Sequence, residues 1–335
     1  MMTVEQLEDL LSQPTEADIA FARKLRGDIL ILGAGGKMGP SLARLAIRAA
    51  QAAGVRRRVL AVSRFSSADL AGELAAWGVG AISCDLLDAA QIARLPHLPN
   101  VLFLAGRKFG STDNQPLTWA TNVLLPAMVA ERYRESRIVA LSSGNVYPLA
   151  AHPATEDTPP DPVGEYAQTV LGRERVFEYY SARHGTPVAL IRLNYAIDLR
   201  YGVLLDIGQR VFSGAPVPLA MGRVNVIWQR DANSICLRAL ALADSPPRFL
   251  NVTGRQTLRV RWIAERFGAI FGVEPRFEGA EAATALLSDS SLCGRLLGDP
   301  PMGAEEMIAM TADWIRAGGP TLCKPTHFEV RDGAF

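Results

Sequence analysis

The sequence predicts an α/β fold, a doubly wound parallel sheet with a smaller C-terminal domain, and three observations carry that prediction. Short runs rich in Val, Ile and Leu recur from Asp28 onward, longer stretches of helical periodicity separate them, and the first run ends in a glycine-rich turn. Apolar strands without alternation are buried on both faces, as in a parallel sheet covered by helices on each side.

Composition sets the outer bounds. The 335 residues are 49% hydrophobic and 21% charged, which supports a sizeable core and excludes a disordered or fibrous chain. Lys and Arg number 35 against 34 Asp and Glu, a net charge of +1, so no whole-chain field draws in nucleic acid or an anionic membrane. The basic run Arg56 to Arg58 reads as a solvated helix end. Cys84, Cys236, Cys293 and Cys323 are scattered, with neither a C-x-x-C pair nor zinc-type spacing, so no metal is expected. A secretion signal and an apolar run of about 18 residues are both missing, and a soluble protein of the reducing cytoplasm is expected.

Residues 1–27 read as a helical extension, two short helices broken near Pro14 with Thr3 and Thr15 as N-caps. The runs "DILILGAGG", "RVLAVSR", "AISCD", "NVLFLAG", "RIVALSSG" and "PVALIRLN" follow as strands of a dinucleotide-binding domain over 28–193. Beyond Leu193 the rhythm is irregular, with helices near 258–271 and 303–317. Residues 194–335 read as a substrate-binding domain, partly interleaved with the sheet through a return segment near 225–252.

The first strand runs into "GAGGKMG", with Gly33, Gly36 and Gly39 at G-x-x-G-x-x-G spacing and Lys37 and Met38 inside the turn. Leu42, Leu45, Ala46 and Ala49 then follow helical spacing. A Rossmann-type turn of this kind brings the backbone close to a pyrophosphate, which the positive end of the helix stabilises. Pro40 costs no hydrogen bond in the first helical turn. The plain alternative is a tight strand-to-helix connection. At the end of the second strand an NAD site usually offers a carboxylate to the adenosine ribose, whereas this chain has Ser63 and Arg64. A hydroxyl followed by a guanidinium suits a 2′-phosphate and favours NADP over NAD; an exposed arginine at a loop start is the other reading.

These residues and the motifs after them resemble the extended short-chain dehydrogenase/reductase family, the NAD-dependent epimerases and dehydratases typified by UDP-galactose 4-epimerase, over roughly residues 28–275. "CDLLD" resembles the adenine-contacting stretch, which implies Asp85 and Leu86. "FLAGRKFGSTDNQPLTWATNV" resembles the segment after the fourth strand, bringing Leu104, Ala105, Gly106, Lys108 and Asn122 towards the cofactor. "LSSGNVYP" resembles the Ser-Ser-x-x-Val-Tyr stretch, implying Ser142 at the cofactor, Ser143 as the donor to the reacting oxygen, Asn145 near substrate and Tyr147 as a packing residue. "ATEDTPPDPVGEY" leads to Tyr166 as the acid/base.

Three departures from the family pattern stand out. Its Tyr-x-x-x-Lys is here Tyr166 with Val170 in the lysine position, although Glu174 still matches. The Arg-Asp-Phe stretch, whose arginine contacts the nucleotide of a nucleotide sugar, falls on Asn225, Val226 and Ile227. The asparagine expected three residues after Arg192 is Tyr195, with Asn194 displaced by one. An unperturbed tyrosine is ionised to only about one part in a thousand at pH 7, so a nearby positive charge is needed to make it an effective base. Lys108 is the favoured substitute; Arg173, whose reach back along the helix would be about 10 Å, ranks behind it.

The resemblance therefore implies hydride transfer between NADP or NAD and a sugar, sugar acid or related polyol, and not a typical nucleotide sugar. The alternative is a cofactor-binding module that has lost turnover. A homodimer is expected through helices near 116–134 and 164–183, whose apolar residues include Leu124, Leu125, Met128, Val170 and Phe177.

Overall fold

In the computed structural model, which describes residues 2–65, 68–324 and 326–334, Met1 and Phe335 at the outer ends of the expected segments lie outside the described residues. Seven strands build one sheet: β1 (Ile29–Leu32), β2 (Val59–Ser63), β3 (Gly80–Ser83), β4 (Asn100–Phe103), β5 (Arg137–Ser143), β6 (Val188–Leu193) and β7 (Arg248–Val252). Every neighbouring pair is parallel, in the order β7-β6-β5-β4-β1-β2-β3. Strand order reverses between β1 and β4, where the loops leaving the two strands diverge and open the crevice that holds ligands in such sheets.

The continuous apolar runs are explained by burial on two sides. Ile29 and Ile31 of β1 enter one core, and Leu30 and Leu32 enter the core on the opposite face. β3 forms the edge of the sheet and is largely exposed. β7 comes from the segment expected to return to the sheet and pairs with β6 from Arg248 to Val252. The helix Gln229–Arg238 packs back onto the glycine-loop helix, where the side-chain amides of Gln229 and Asn233 donate to Ser41 Oγ at 3.0 and 2.9 Å.

The N-terminal helices are Val4–Leu11 and Glu16–Lys24, each started by a threonine capping box at Thr3 or Thr15. Leu7 and Leu11 join a third core with Val203, Ile207, Phe267 and Trp314, so the start of the chain is packed against its C-terminal half. Asp18, fully buried, accepts from Ser234 Oγ at 2.6 Å and lies 3.3 Å from Arg238 Nε.

Two expectations need correction. Arg57 is not a solvated helix end: it is buried and donates to the carbonyls of Ala22, Leu25 and Gly27. The last carbonyls of a helix have no partners within it, and this guanidinium provides them. Of the apolar residues expected at a dimer face, Leu125, Val170 and Phe177 are interior to the single chain, Met128 is partly buried, and Leu124 is exposed. No helix among the described residues is long and apolar enough to cross a membrane.

Candidate active site

The glycine turn leaves β1 at the crevice. Gly33 has φ +86°, and a Cβ there would meet the Ala105 amide nitrogen at 2.5 Å, so the loops after β1 and β4 touch only because position 33 has no side chain. A Cβ on Gly39 would strike the Ala34 carbonyl oxygen at 2.2 Å, which fixes how closely the helix Gly39–Ala52 approaches the turn. Gly36 differs: the nearest atom to a Cβ there is the Gly33 oxygen at 3.4 Å, so the protein's own packing does not demand glycine. The open space lies at the start of a helix with no side-chain cap hydrogen bond. An uncapped helix N-terminus facing a space cleared of side chains suits the pyrophosphate of a dinucleotide.

From that turn a cleft of about 590 Å³ runs along the ends of β4, β5 and β6, within the size range of small-molecule sites. Gly33, Gly36, Lys37, Met38, Gly39, Leu104, Gly106, Lys108, Ser142, Ser143, Asn145, Tyr166, Asn194 and Tyr195 all line it. A larger groove of about 880 Å³, between residues 254–265 and 300–307, is also lined by Val226 and Ile227 of the stretch matched to the family's Arg-Asp-Phe, and by none of the residues expected to contact the cofactor or take part in proton transfer.

Ser143 ends β5. Its Oγ donates to Asn145 Oδ1 at 3.0 Å and accepts from the Asn145 amide at 3.2 Å, and Tyr166 lines the same cleft. Tyr166 lies in the first turn of the helix Gly164–His184, which begins after the extended residue Val163. Burial pushes its phenol above the ordinary tyrosine range, while the charge of Arg173 and the hydrogen bond with Ser143 pull the other way. Val170 faces away from the cleft, fully buried with Val146, Tyr147 and Ala154.

Below the site lies a buried polar network. Glu174 accepts from Arg192 Nη2 at 2.8 Å and Nε at 3.0 Å, and also from Ser142 Oγ. Arg192 Nη1 donates to Tyr147 Oη at 2.7 Å, and Tyr147 Oη donates to Asn251 Oδ1 at 2.8 Å. The network ties the Tyr166 helix to β5, β6 and β7, and gives Tyr147 a structural role.

Other expected residues stand apart from the cleft. Asn122 is fully buried: Oδ1 accepts from the Arg107 amide and Arg173 Nη2, and Nδ2 donates to the Arg107 carbonyl and Thr169 Oγ1. With its amide engaged inside the protein, Asn122 shapes the loop after β4 and is not positioned as a cofactor contact. Ala105 packs against Gly33 rather than lining the cleft. Asp85 turns its carboxylate to the Leu87 amide at 3.0 Å, and Leu86 belongs to the core. Ser63 abuts the glycine turn, its Oγ 2.4 Å from where a Gly35 Cβ would stand, and Arg64 is exposed beside it.

The walls of the cleft combine residues named from the sequence with others that local patterns do not reveal. Lys37 Nζ donates to the Ala196 carbonyl at 2.6 Å and lies 4.0 Å from the Tyr201 ring centroid. Lys108 Nζ is 5.9 Å from the ring centroids of both Phe109 and Tyr166. Burial lowers both ammonium groups to a pKa of about 8. Tyr195 has φ +44°, a strained conformation for a non-glycine residue. Glu8 reaches the far end from the first helix and pairs with Arg200 at 2.6 Å. Leu322, Lys324 and Thr326 line the same end, where the Thr326 amide and hydroxyl donate to Asp206 Oδ2 at 2.8 and 2.6 Å.

Fold and site together define a dinucleotide-dependent enzyme class with a serine and a tyrosine at the end of the cofactor crevice. The chain belongs to the NAD dependent epimerase/dehydratase family, whose description matches residues 29–196. Similar solved structures include MoeE5 in complex with UDP-glucose and NAD, 20% identical with a TM-score of 0.69, covering 87% of this chain and 99% of that one. UDP-glucuronic acid 4-epimerase from Bacillus cereus in complex with NAD is 17% identical with a TM-score of 0.72 over 87% of this chain and 99% of its own. The UDP-glucose 4-epimerase of Thermus thermophilus in complex with NAD is 19% identical with a TM-score of 0.70 over 86% and 99%. No protein of curated function matches the chain.

Proposed function

We propose that this chain is an NAD(P)-dependent oxidoreductase or epimerase acting at an alcohol carbon of a free sugar, sugar acid or related polyol. The observation that carries the reading is that Ser143 and Tyr166 line the same cleft as the open glycine turn. When bound, the nicotinamide supplies the hydride acceptor. Tyr166 Oη, as phenolate, takes the proton of the substrate hydroxyl while the carbon–hydrogen bond breaks and the carbon–oxygen bond becomes double. Ser143 Oγ holds the reacting oxygen, and Asn145 fixes the rotamer of Ser143. Returning hydride to the opposite face with the proton from Tyr166 gives epimerisation, and release after oxidation gives a dehydrogenase.

Two features favour a small substrate over the nucleotide sugars named with the similar structures. The far end of the cleft is lined by the chain's own C-terminal segment and Glu8, which take up space there. Asn225, at the position of the family's nucleotide-contacting stretch, is buried with Nδ2 donating to the Gln256 carbonyl and Oδ1 accepting from the Ser288 amide. NADP is favoured over NAD because Ser63 sits against the glycine turn with an exposed arginine next to it. The similar structures carry NAD, so the two nucleotides must be compared directly. The four free cysteines, three of them buried, are in keeping with the reducing cytoplasm.

Titration with both nucleotides is expected to show saturable binding, tighter for NADP. Gly36→Val should lower that affinity by at least about tenfold, roughly 1.4 kcal/mol or more, with the circular dichroism unchanged. A panel of free sugars, sugar acids, polyols and UDP-sugars then tests the substrate. Turnover confined to UDP-sugars would refute the small-substrate reading, and absence of nucleotide binding would refute the whole proposal.

A homodimer is proposed through the exposed parts of the two helical segments around Trp119, Leu124 and Tyr179, which are 42%, 56% and 56% exposed. Burying Leu124 would contribute about 1.5–3 kcal/mol. Light scattering should give a dimer mass that Leu124→Glu shifts towards monomer; a wild-type monomer contradicts the assignment.

A further inference from the structure

Two turns beyond Tyr166 on the same helix, Arg173 is almost completely buried and lines the cleft. Its guanidinium does not run back along the helix axis. It crosses to β5 and to the helical segment Ala120–Leu124, donating from Nη1 to the Leu141 carbonyl at 2.6 Å and from Nη2 to Asn122 Oδ1 at 2.9 Å, with Nε 3.4 Å from the Asn122 carbonyl. Position 106 must be small for this, because a Cβ on Gly106 would come within 2.7 Å of Nη2.

Every one of these partners is a neutral oxygen. Among the described residues no carboxylate is in ion-pair contact with Arg173, and the adjacent Glu174 is engaged by Arg192 and Ser142. Neutral dipoles hold a buried cation without cancelling its field, and that field is strong where water is excluded. The groups of opposite charge that Arg173 senses are the Tyr166 phenol and Glu174. Other titratable groups near Tyr166 include Lys108, from the loop after β4, Tyr201, from the loop after Ile197, and Tyr147, in the cluster against which Tyr166 packs.

We propose that Arg173 replaces the lysine missing at Val170 as the standing positive charge that favours the Tyr166 phenolate. Arg173 acts through Tyr166 and is a positioning residue. Lys108 is less suited to that role, because burial lowers its ammonium to a pKa of about 8 and its charge fades as pH rises, whereas a guanidinium stays protonated throughout. The arrangement also accounts for an apolar residue at 170, since the charge enters the cleft from Arg173, about one turn further along the helix.

This inference rests on the reading of Tyr166 as proton acceptor, but its test reads the phenol itself. The ultraviolet phenolate titration of the protein without substrate, minus that of Tyr166→Phe, isolates Tyr166. Arg173→Gln is expected to raise the midpoint by about one pH unit or more, with the fold checked by circular dichroism. Lys108→Gln removes an ammonium that has lost most of its charge where the phenol titrates, and should leave the midpoint in place. An unmoved midpoint in folded Arg173→Gln overturns the proposal, and so does a full upward shift in Lys108→Gln; the second measurement decides should Arg173→Gln not fold. If Tyr166→Phe retained full turnover, proton transfer by Tyr166 would be wrong, while the titration would still judge the electrostatic role of Arg173.

Discussion

Tyr166→Phe is expected to lower turnover by about 10²–10⁴-fold while nucleotide affinity and the fold stay as they are. Only the hydroxyl is removed, and the ring keeps its packing against the cluster of Val146, Tyr147, Ala154 and Val170. The size of the loss follows from the phenol's two roles, as the base that takes the substrate proton beside Ser143 and as the group that must give the proton back. Since burial raises the phenol while Arg173 and Ser143 oppose it, little phenolate exists at neutral pH. Oxidation should therefore accelerate as pH rises towards the phenol's pKa, because the deprotonated form is the base. Steady-state rates over a pH series, in wild type and variant, read both effects. A variant with the same rates and profile as wild type would transfer the proton role elsewhere; nucleotide binding without turnover in either protein would favour the module reading.

The parts of this molecule that are legible in the sequence are those governed by local chemistry. Ile29–Leu32 and Asn100–Phe103 read as central strands because burial on both faces leaves no polar alternation. Thr3 and Thr15 read as helix starts because a hydroxyl ahead of an acidic turn has one favourable use. Ser143 and Tyr166 are nameable through a family pattern, and the cleft does contain both.

What local patterns miss depends on contacts between distant segments. Asn122 matches a cofactor-facing position, yet its amide is taken by Arg107, Thr169 and Arg173, three residues whose approach no local pattern encodes. A distance measured along the helix axis ranks Arg173 behind Lys108, and that measure ignores a long side chain directed sideways. Thr326 carries no motif at all; it enters the cleft because Asp206, 120 positions earlier, accepts its amide and hydroxyl. Arg57 reads as solvated because three arginines in a row usually are, whereas the unpaired carbonyls at the end of the second helix draw it inside.

Glu174→Ala is expected to be the most destabilising of the substitutions considered, at about 3–5 kcal/mol. The carboxylate is fully buried and accepts two hydrogen bonds from Arg192, whose side chain is only 4% exposed, and one from Ser142. Truncating it leaves a guanidinium without its counter-charge in a place that water does not reach, and desolvation makes that arrangement far costlier than losing a surface pair. The remaining partners of Arg192, Tyr147 Oη and the Glu156 carbonyl, are neutral and cannot replace the lost charge. Urea unfolding followed by circular dichroism should show the midpoint fall. Replacing both partners by apolar residues of similar volume, Glu174→Leu with Arg192→Met, should recover much of the loss, because the orphaned charge disappears together with the pair. Recovery of stability need not bring back turnover: Ser142 would still lack its acceptor beside Ser143, and the Tyr166 helix would have lost its polar tie to β5 and β6. A single variant within about 1 kcal/mol of wild type would mean that Arg192 finds another anion, and the proposed division between a structural Glu174–Arg192 pair and an electrostatic Arg173 would have to be abandoned.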